Sequence, residues 1–203
     1  MEMTMAVVQD AAVTGEGPSV LLNSRQLMAG DLRVWRRIWA EDRHEVGLTG
    51  LLQNARLVWN QCGLRATLLY RISHGLSKSR VPVLPGILSR LNIVLYGFDV
   101  PPSVEIGPGL YMPHPVGTVI MATRLGANVS LISSITIGMR NVYGFPTIGD
   151  GVFIGAGARI LGDITIGDNA NIGANAVVLQ DIPAGATAVG VPARVLPVKK
   201  ATA

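Results

Sequence analysis

Three histidines, at positions 44, 74 and 114, are the side chains of this 203-residue chain best suited to exchange protons near neutral pH. His44 and His74 fall in a stretch with helical spacing, where a surface or structural role suits both. His114 lies instead in Tyr111-Met112-Pro113-His114-Pro115-Val116-Gly117, at a break in a repeat. A positioned imidazole can remove the proton of a hydroxyl as it attacks a carbonyl, a step an alcohol performs poorly unaided. A lone histidine is also commonly structural, so residue type alone does not decide. The single cysteine, Cys62, forbids an internal disulfide and a multi-cysteine metal site, so no metal is expected.

The element that must position His114 is a six-residue repeat. Ile148, Ile154, Ile160, Ile166, Ile172 and Val178 share one register. Apolar residues recur four positions later, at Val152, Ala158, Ile164, Ala170, Ala176 and Ile182. Gly149, Gly155, Gly167 and Gly173 follow register positions, where glycine is expected to take up the turn's backbone angles. No hexad buries its own branched side chain, so coils must stack. Three hexads per coil close a triangular prism, the hexapeptide-type parallel β-helix. Upstream, Val100, Ile106 and Met112 keep the period, and Val119, Leu125, Leu131 and Ile137 resume it one residue out of phase. Ile148 then follows after eleven residues. The register therefore slips twice, at residues 112–119 and 138–147. Each slip is expected to extrude a functional loop.

Before the prism, residues 24–97 read as a helical domain. Trp35, Ile38 and Trp39 have helical spacing, as do Leu51, Leu52, Ala55, Val58 and Trp59. The apolar stretch from Leu84 to Phe98 follows Pro82 and Pro85, which suit helix entry. Residues 1–23 read as a mobile tail, 98–196 as the β-helix and 197–203 as a second tail. From Arg25 to Arg90 there are 11 basic and 4 acidic residues, against 6 and 6 from Gly97 onward. A basic helical face is either a solvated surface or a face for an anionic membrane or acidic partner. Aromatic spacing for base stacking is absent, which argues against nucleic acid. With 49% apolar and 15% charged residues, the chain is not a solvated disordered one. It has no apolar run long enough to span a bilayer and no visible secretion signal, so a reducing cytoplasm is the expected compartment.

Residues 97–196 resemble the serine O-acetyltransferase branch of the hexapeptide-repeat acyltransferases. The resemblance rests on Asp99-Val100-Pro101-Pro102 with Ile106-Gly107, on His114-Pro115-Val116-Gly117, and on Ser134-Ile135-Thr136-Ile137-Gly138. It continues through Pro146-Thr147-Ile148-Gly149-Asp150-Gly151-Val152 and Ile154-Gly155-Ala156-Gly157-Ala158 to Gly190-Val191-Pro192-Ala193-Arg194. It implies a left-handed β-helix, a homotrimer or dimer of trimers, and acetyl-CoA as co-substrate.

By this resemblance His114 is the general base and Asp99 accepts the imidazole's second N–H, fixing its tautomer. Asp99 can instead be a turn residue ahead of Pro101. The backbone N–H near Gly138 is the implied oxyanion donor. Ala156 and Ala174 would admit the pantetheine arm, although repeat geometry alone also explains them. Arg194, Lys199 and Lys200 would meet the nucleotide phosphates, unless the lysines form a solvated tail.

The chain departs from that branch at the acceptor end. It has Pro113-His114 where the family has Asp-His, and Gly144-Phe145-Pro146 where the family has Arg-His-Pro. The loop at 138–145 is also shorter. The groups that grip an amino acid's charged ends are thus missing, though Arg140 can salvage a carboxylate. The loop resembles that of relatives linked to exopolysaccharide synthesis. Asn141 and Tyr143 offer hydrogen bonds, and Tyr143 or Phe145 a stacking face for a sugar ring. Phe145 can equally pack at a prism corner. The ending Ala201-Thr202-Ala203 lacks the isoleucine tail by which family members dock on cysteine synthase. The leading expectation is therefore an acetyl-CoA-dependent O-acetyltransferase acting on a sugar hydroxyl slightly ahead of free serine. A non-catalytic β-helix scaffold is the rival class, and a sugar-nucleotide N-acyltransferase ranks below both.

Overall fold

The computed structural model describes residues 23–42 and 50–196. Residues 1–22 of the expected 1–23 tail, the expected tail at 197–203 with Lys199 and Lys200, and His44 lie outside them. Among the described residues four helices come first: α1 (Ser24–Asp42), α2 (Gly50–Asn60), α3 (Cys62–Lys78) and α4 (Leu84–Tyr96). Helix α1 starts with a reciprocal cap. The Asn23 side chain accepts the Gln26 N–H at 3.0 Å, and Gln26 accepts the Asn23 N–H at 2.9 Å. Helix α4 ends at Gly97, whose φ of 62° is open to glycine and whose N–H bonds the Ile93 carbonyl.

Fourteen short strands follow among the described residues. The first face stacks β1 (Phe98–Asp99), β3 (Thr118–Ile120), β6 (Thr136–Gly138), β9 (Arg159–Leu161) and β12 (Val177–Val178). The second stacks β2 (Glu105–Ile106), β4 (Arg124–Leu125), β7 (Thr147–Ile148) and β10 (Thr165–Ile166). The third stacks β5 (Ser130–Leu131), β8 (Phe153–Ile154), β11 (Asn171–Ile172) and β13 (Thr187–Val189), and ends on β14 (Arg194–Val195). Every pairing is parallel except β13 with β14, which runs antiparallel. In this closing turn the Ala193 N–H bonds the Val177 carbonyl and the Val177 N–H bonds the Gly190 carbonyl, so the turn covers the last edge of the first face.

All six register residues from Ile148 to Val178 are fully buried, as the hexad pattern requires. Two local expectations need correction. The hexad spacing puts Val119 on the inward register, but it pairs with Asp99 and is half-buried, while Ile120 is fully buried inside. The cause is that His114 pairs with Ser133 and Val119 with Thr136, so five steps of chain do the work of three. The glycines after the register positions do not take up the turn's backbone angles. Gly149, Gly155 and Gly167 keep negative φ; a Cβ on each would meet the next coil's backbone, at 2.8, 2.6 and 2.4 Å. They are needed for close stacking. The positive φ angles fall two residues later, at Gly151, Asn169 and their neighbour Asn128.

Helices and prism share one core, since Ala66 and Tyr70 of α3 join the cluster of Phe98, Val100, Leu110 and the hexad residues. Asp31 of α1 and Arg71 of α3 form a fully buried ion pair at 2.8 Å. Asp31 accepts the N–H groups of Gly109 and Leu110, while Arg71 donates to the carbonyls of Ile106 and Gly107. The pair thus clamps the first coil to the helices. Burial pushes the Asp31 carboxyl up, opposed by Arg71 and the two N–H donors.

Candidate active site

His114 is exposed, at the corner where the third face turns toward the first. The two-residue excess at 115–118 produces that corner. Its base is held by α3, whose Gly63 lies so close to Met112 that a Cβ would meet the Met112 carbonyl oxygen at 1.7 Å. The neighbouring Cys62 thiol is 3.7 Å from the Pro113 carbonyl, to which it donates. The first turn of α3 therefore fixes the two residues ahead of the imidazole. Neither Gly63 nor Cys62 is visible as a site residue in the sequence, because neither belongs to the repeat.

The coil register places Ser133, Ala156 and Ala174 beneath His114 in one row. Gly157 bonds the Ser133 carbonyl and Asn175 the Ala156 carbonyl, which fixes the alignment coil by coil. Ala156 is half-buried and Ala174 exposed, so small side chains leave an open track down this corner. The track runs about 14 Å from His114 to Ala174 at the usual spacing of neighbouring strands. It leads toward the closing turn that carries Arg194, which is exposed on β14.

Asp99 projects from the first face, in a row with Val119, Thr136, Arg159 and Val177. Neither a hydrogen bond nor an ion pair joins Asp99 to His114 in the single protomer. Arg159, which sequence reasoning missed, donates through Nη1 to the carbonyls of Ser134, Gly157 and Ala158 at 2.5, 3.0 and 3.2 Å. It braces the corner beside the track. Outward positions of a hexad follow no pattern, so nothing in the repeat marks it.

Gly138 ends β6 at the opposite edge of the first face, roughly 15 Å along the strands from His114. A Cβ on Gly138 would meet only the Met121 Cβ at 4.0 Å, so packing in the protomer does not demand glycine there. The loop 139–146 leaves from this edge. Arg140, Asn141 and Tyr143 are exposed, Tyr143 to 87%. Phe145 is half-buried and meets Tyr143 edge to face, with centroids 5.2 Å apart. One protomer therefore brings His114, Ala156 and Ala174 together, and brings Gly138 together with Arg140, Asn141, Tyr143 and Phe145. It does not bring the two groups to each other. Among the described residues no cluster of His, Cys, Asp or Glu suits a metal ion.

The stacked coils define a hexapeptide-repeat protein of the left-handed β-helix class, and residues 145–180 match the family model described as bacterial transferase hexapeptide (six repeats). The chain belongs to the serine acetyltransferase family. It is 41% identical over 138 residues to the serine acetyltransferase of Helicobacter pylori strain J99, covering 66% of this chain and 81% of that one. The serine acetyltransferase of Synechococcus elongatus is 38% identical over 138 residues, 66% of this chain, which spans only 57% of that protein's length. Among solved structures, Neisseria gonorrhoeae serine acetyltransferase in complex with serine superimposes with a TM-score of 0.72 at 32% identity, over 86% of this chain and 69% of that one. A serine acetyltransferase in complex with CoA gives a TM-score of 0.72 at 34% identity, over 85% and 69%.

Proposed function

We propose that this protein is an acetyl-CoA-dependent O-acetyltransferase whose acceptor is the hydroxyl of serine. The observation that carries the reading is the exposed His114 at the head of a row of small residues, in a chain of the serine acetyltransferase family. In this reading the track over Ala156 and Ala174 receives the pantetheine arm, and Arg194, with Lys199, meets the nucleotide phosphates. His114 takes the proton of the serine Oγ as that oxygen bonds to the thioester carbonyl carbon. The Gly138 N–H receives the carbonyl oxygen as charge develops on it. The carbon–sulfur bond then breaks, and His114 returns the proton to the departing thiolate. The products are O-acetylserine and free CoA. Asp99 orients the imidazole once the site is assembled.

Assembly requires a second copy. Because His114 and Gly138 lie on opposite edges of one face, copies set edge to edge bring one protomer's histidine to its neighbour's loop. A closed trimer satisfies this for every copy. The same reading places the protein in the cytoplasm, with its acetyl donor.

A sugar hydroxyl is the second reading, favoured by the Tyr143–Phe145 pair standing where a charged grip on an amino acid would be expected. Thiol release from acetyl-CoA, followed with L-serine and a panel of sugars in parallel, separates the two. Rapid turnover with serine, abolished in His114→Ala, supports the first. Turnover confined to a sugar replaces it with the second. Full activity of His114→Ala on the true acceptor would overturn the mechanism.

A further inference from the structure

Helix α4 is built inside out. Its inward positions are Pro85, Ser89, Asn92 and Tyr96. The Ser89 hydroxyl donates to the Val100 carbonyl at 3.0 Å and the Asn92 amide to the Ala66 carbonyl at 3.1 Å. Its outward positions are Leu84, Ile87, Leu91, Val94 and Leu95, all exposed, with Ile87 at 55% and Val94 at 79%. The i, i+3, i+4, i+7 pattern is that of a helix meant to be covered on this side. Val83 extends the stripe at 75% exposure, and it does so at φ 64°, a left-handed angle unfavourable for a β-branched residue.

The charge around this stripe says what covers it. Residues 50–97 contain six basic side chains and no acidic one. Arg71 and Lys78 are engaged with Asp31 and Glu105. Arg80 and Arg90 are exposed, Arg80 three residues before Val83 and Arg90 on α4 between Ile87 and Val94 on the same flank. A second copy packed on it through the same face would set like charge against like. The exposed surface is the outer side of a single helix, without a groove for a peptide. Aliphatic side chains flanked by arginines suit a helix lying in the headgroup region of an anionic bilayer. No described helix is long and apolar enough to cross one. We propose that the outward face of α4, with Arg80 and Arg90, docks this protein on anionic membrane surfaces. This holds whichever acceptor the site takes.

The full-length protein is to be floated with vesicles of phosphatidylcholine alone and of phosphatidylcholine mixed with phosphatidylglycerol. The expected result is association with the anionic vesicles, weakened as salt rises. The double variant Ile87→Gln/Val94→Gln changes two exposed side chains and should fold; it is expected to bind roughly tenfold more weakly. Arg90→Gln should lose most of the preference for the anionic vesicles. Circular dichroism and CoA binding confirm that each variant is folded. Absence of the unaltered protein from the anionic vesicles overturns the proposal, as does binding indifferent to both variants. If the double variant instead halves the particle mass in sedimentation velocity and the parent binds no vesicle, the face belongs to a second copy.

Discussion

His114 stands outside the coil because the chain spends two extra residues on its corner, and the same corner leaves room beneath it for a linear ligand. Replacing the imidazole with alanine is expected to lower kcat by about a hundred- to ten-thousandfold. CoA affinity, measured by calorimetry, should be unchanged, since in the proposed reading CoA lies on the track over Ala156 and Ala174, which the substitution leaves intact. Ala156→Leu makes the opposite split. A larger side chain on the half-buried track should raise KM for acetyl-CoA by roughly tenfold while leaving the histidine in place. At this scale the sequence was readable wherever an inward position had to be branched and buried. It was unreadable at Val119 and Ile120, two adjacent β-branched residues of similar size whose facing is decided by the corner before them. It was equally silent on Arg159, whose guanidinium finds backbone carbonyls that only the folded corner brings together.

The helices do more than precede the prism. Helix α3 reaches the coil through Gly63, and Gly63→Ala pushes a methyl group into the Met112 carbonyl. A loss of about 1–3 kcal/mol is expected in denaturant unfolding. A lower kcat should accompany it, because Met112 and Pro113 lead directly to His114. Farther along α3, the buried His74 Nδ1 lies 2.8 Å from the Pro102 carbonyl. Burial holds this imidazole below the ordinary histidine range, with the carbonyl opposing. The folded protein then binds fewer protons than the unfolded chain below pH 6.5, the ordinary histidine value. Stability is fully present above that pH and declines as pH falls toward the depressed folded value. Denaturant midpoints compared at pH 7 and pH 5 should show the decline, and His74→Gln should reduce it. Helical spacing announced these elements but misdirected their faces. A stripe such as Ile87, Leu91 and Val94 ordinarily turns inward, whereas here Ser89 and Asn92 take the inner side by bonding carbonyls of Val100 and Ala66. Trp59, read as part of a helical apolar face, is 79% exposed.

At the level of the whole molecule, the separation of His114 from the Gly138 edge makes catalysis collective in the proposed reaction. Isolated protomers should be inactive even when folded. Mixed assemblies of a His114→Ala subunit with a subunit bearing a disrupted 139–146 loop should regain activity that neither parent shows. Some neighbouring pairs then unite an intact histidine with an intact loop. Refolding the two variants together and assaying thiol release checks this; no recovery at any mixing ratio would mean each protomer works alone. The hexad register revealed the stacked coils, but it carries no mark of how one face meets another copy's edge, because outward residues are free to vary along the repeat.

The reversal of β14 against β13 has a consequence for the chain's behaviour in concentrated solution. A solenoid of parallel coils is a template at its end, ready to accept one more turn from any molecule that offers it. By doubling back over Val177 and Thr187, residues 190–196 withdraw that offer. Shortened at Gly190, the protein should polymerise lengthwise into fibrils visible by electron microscopy, each terminus recruiting the next.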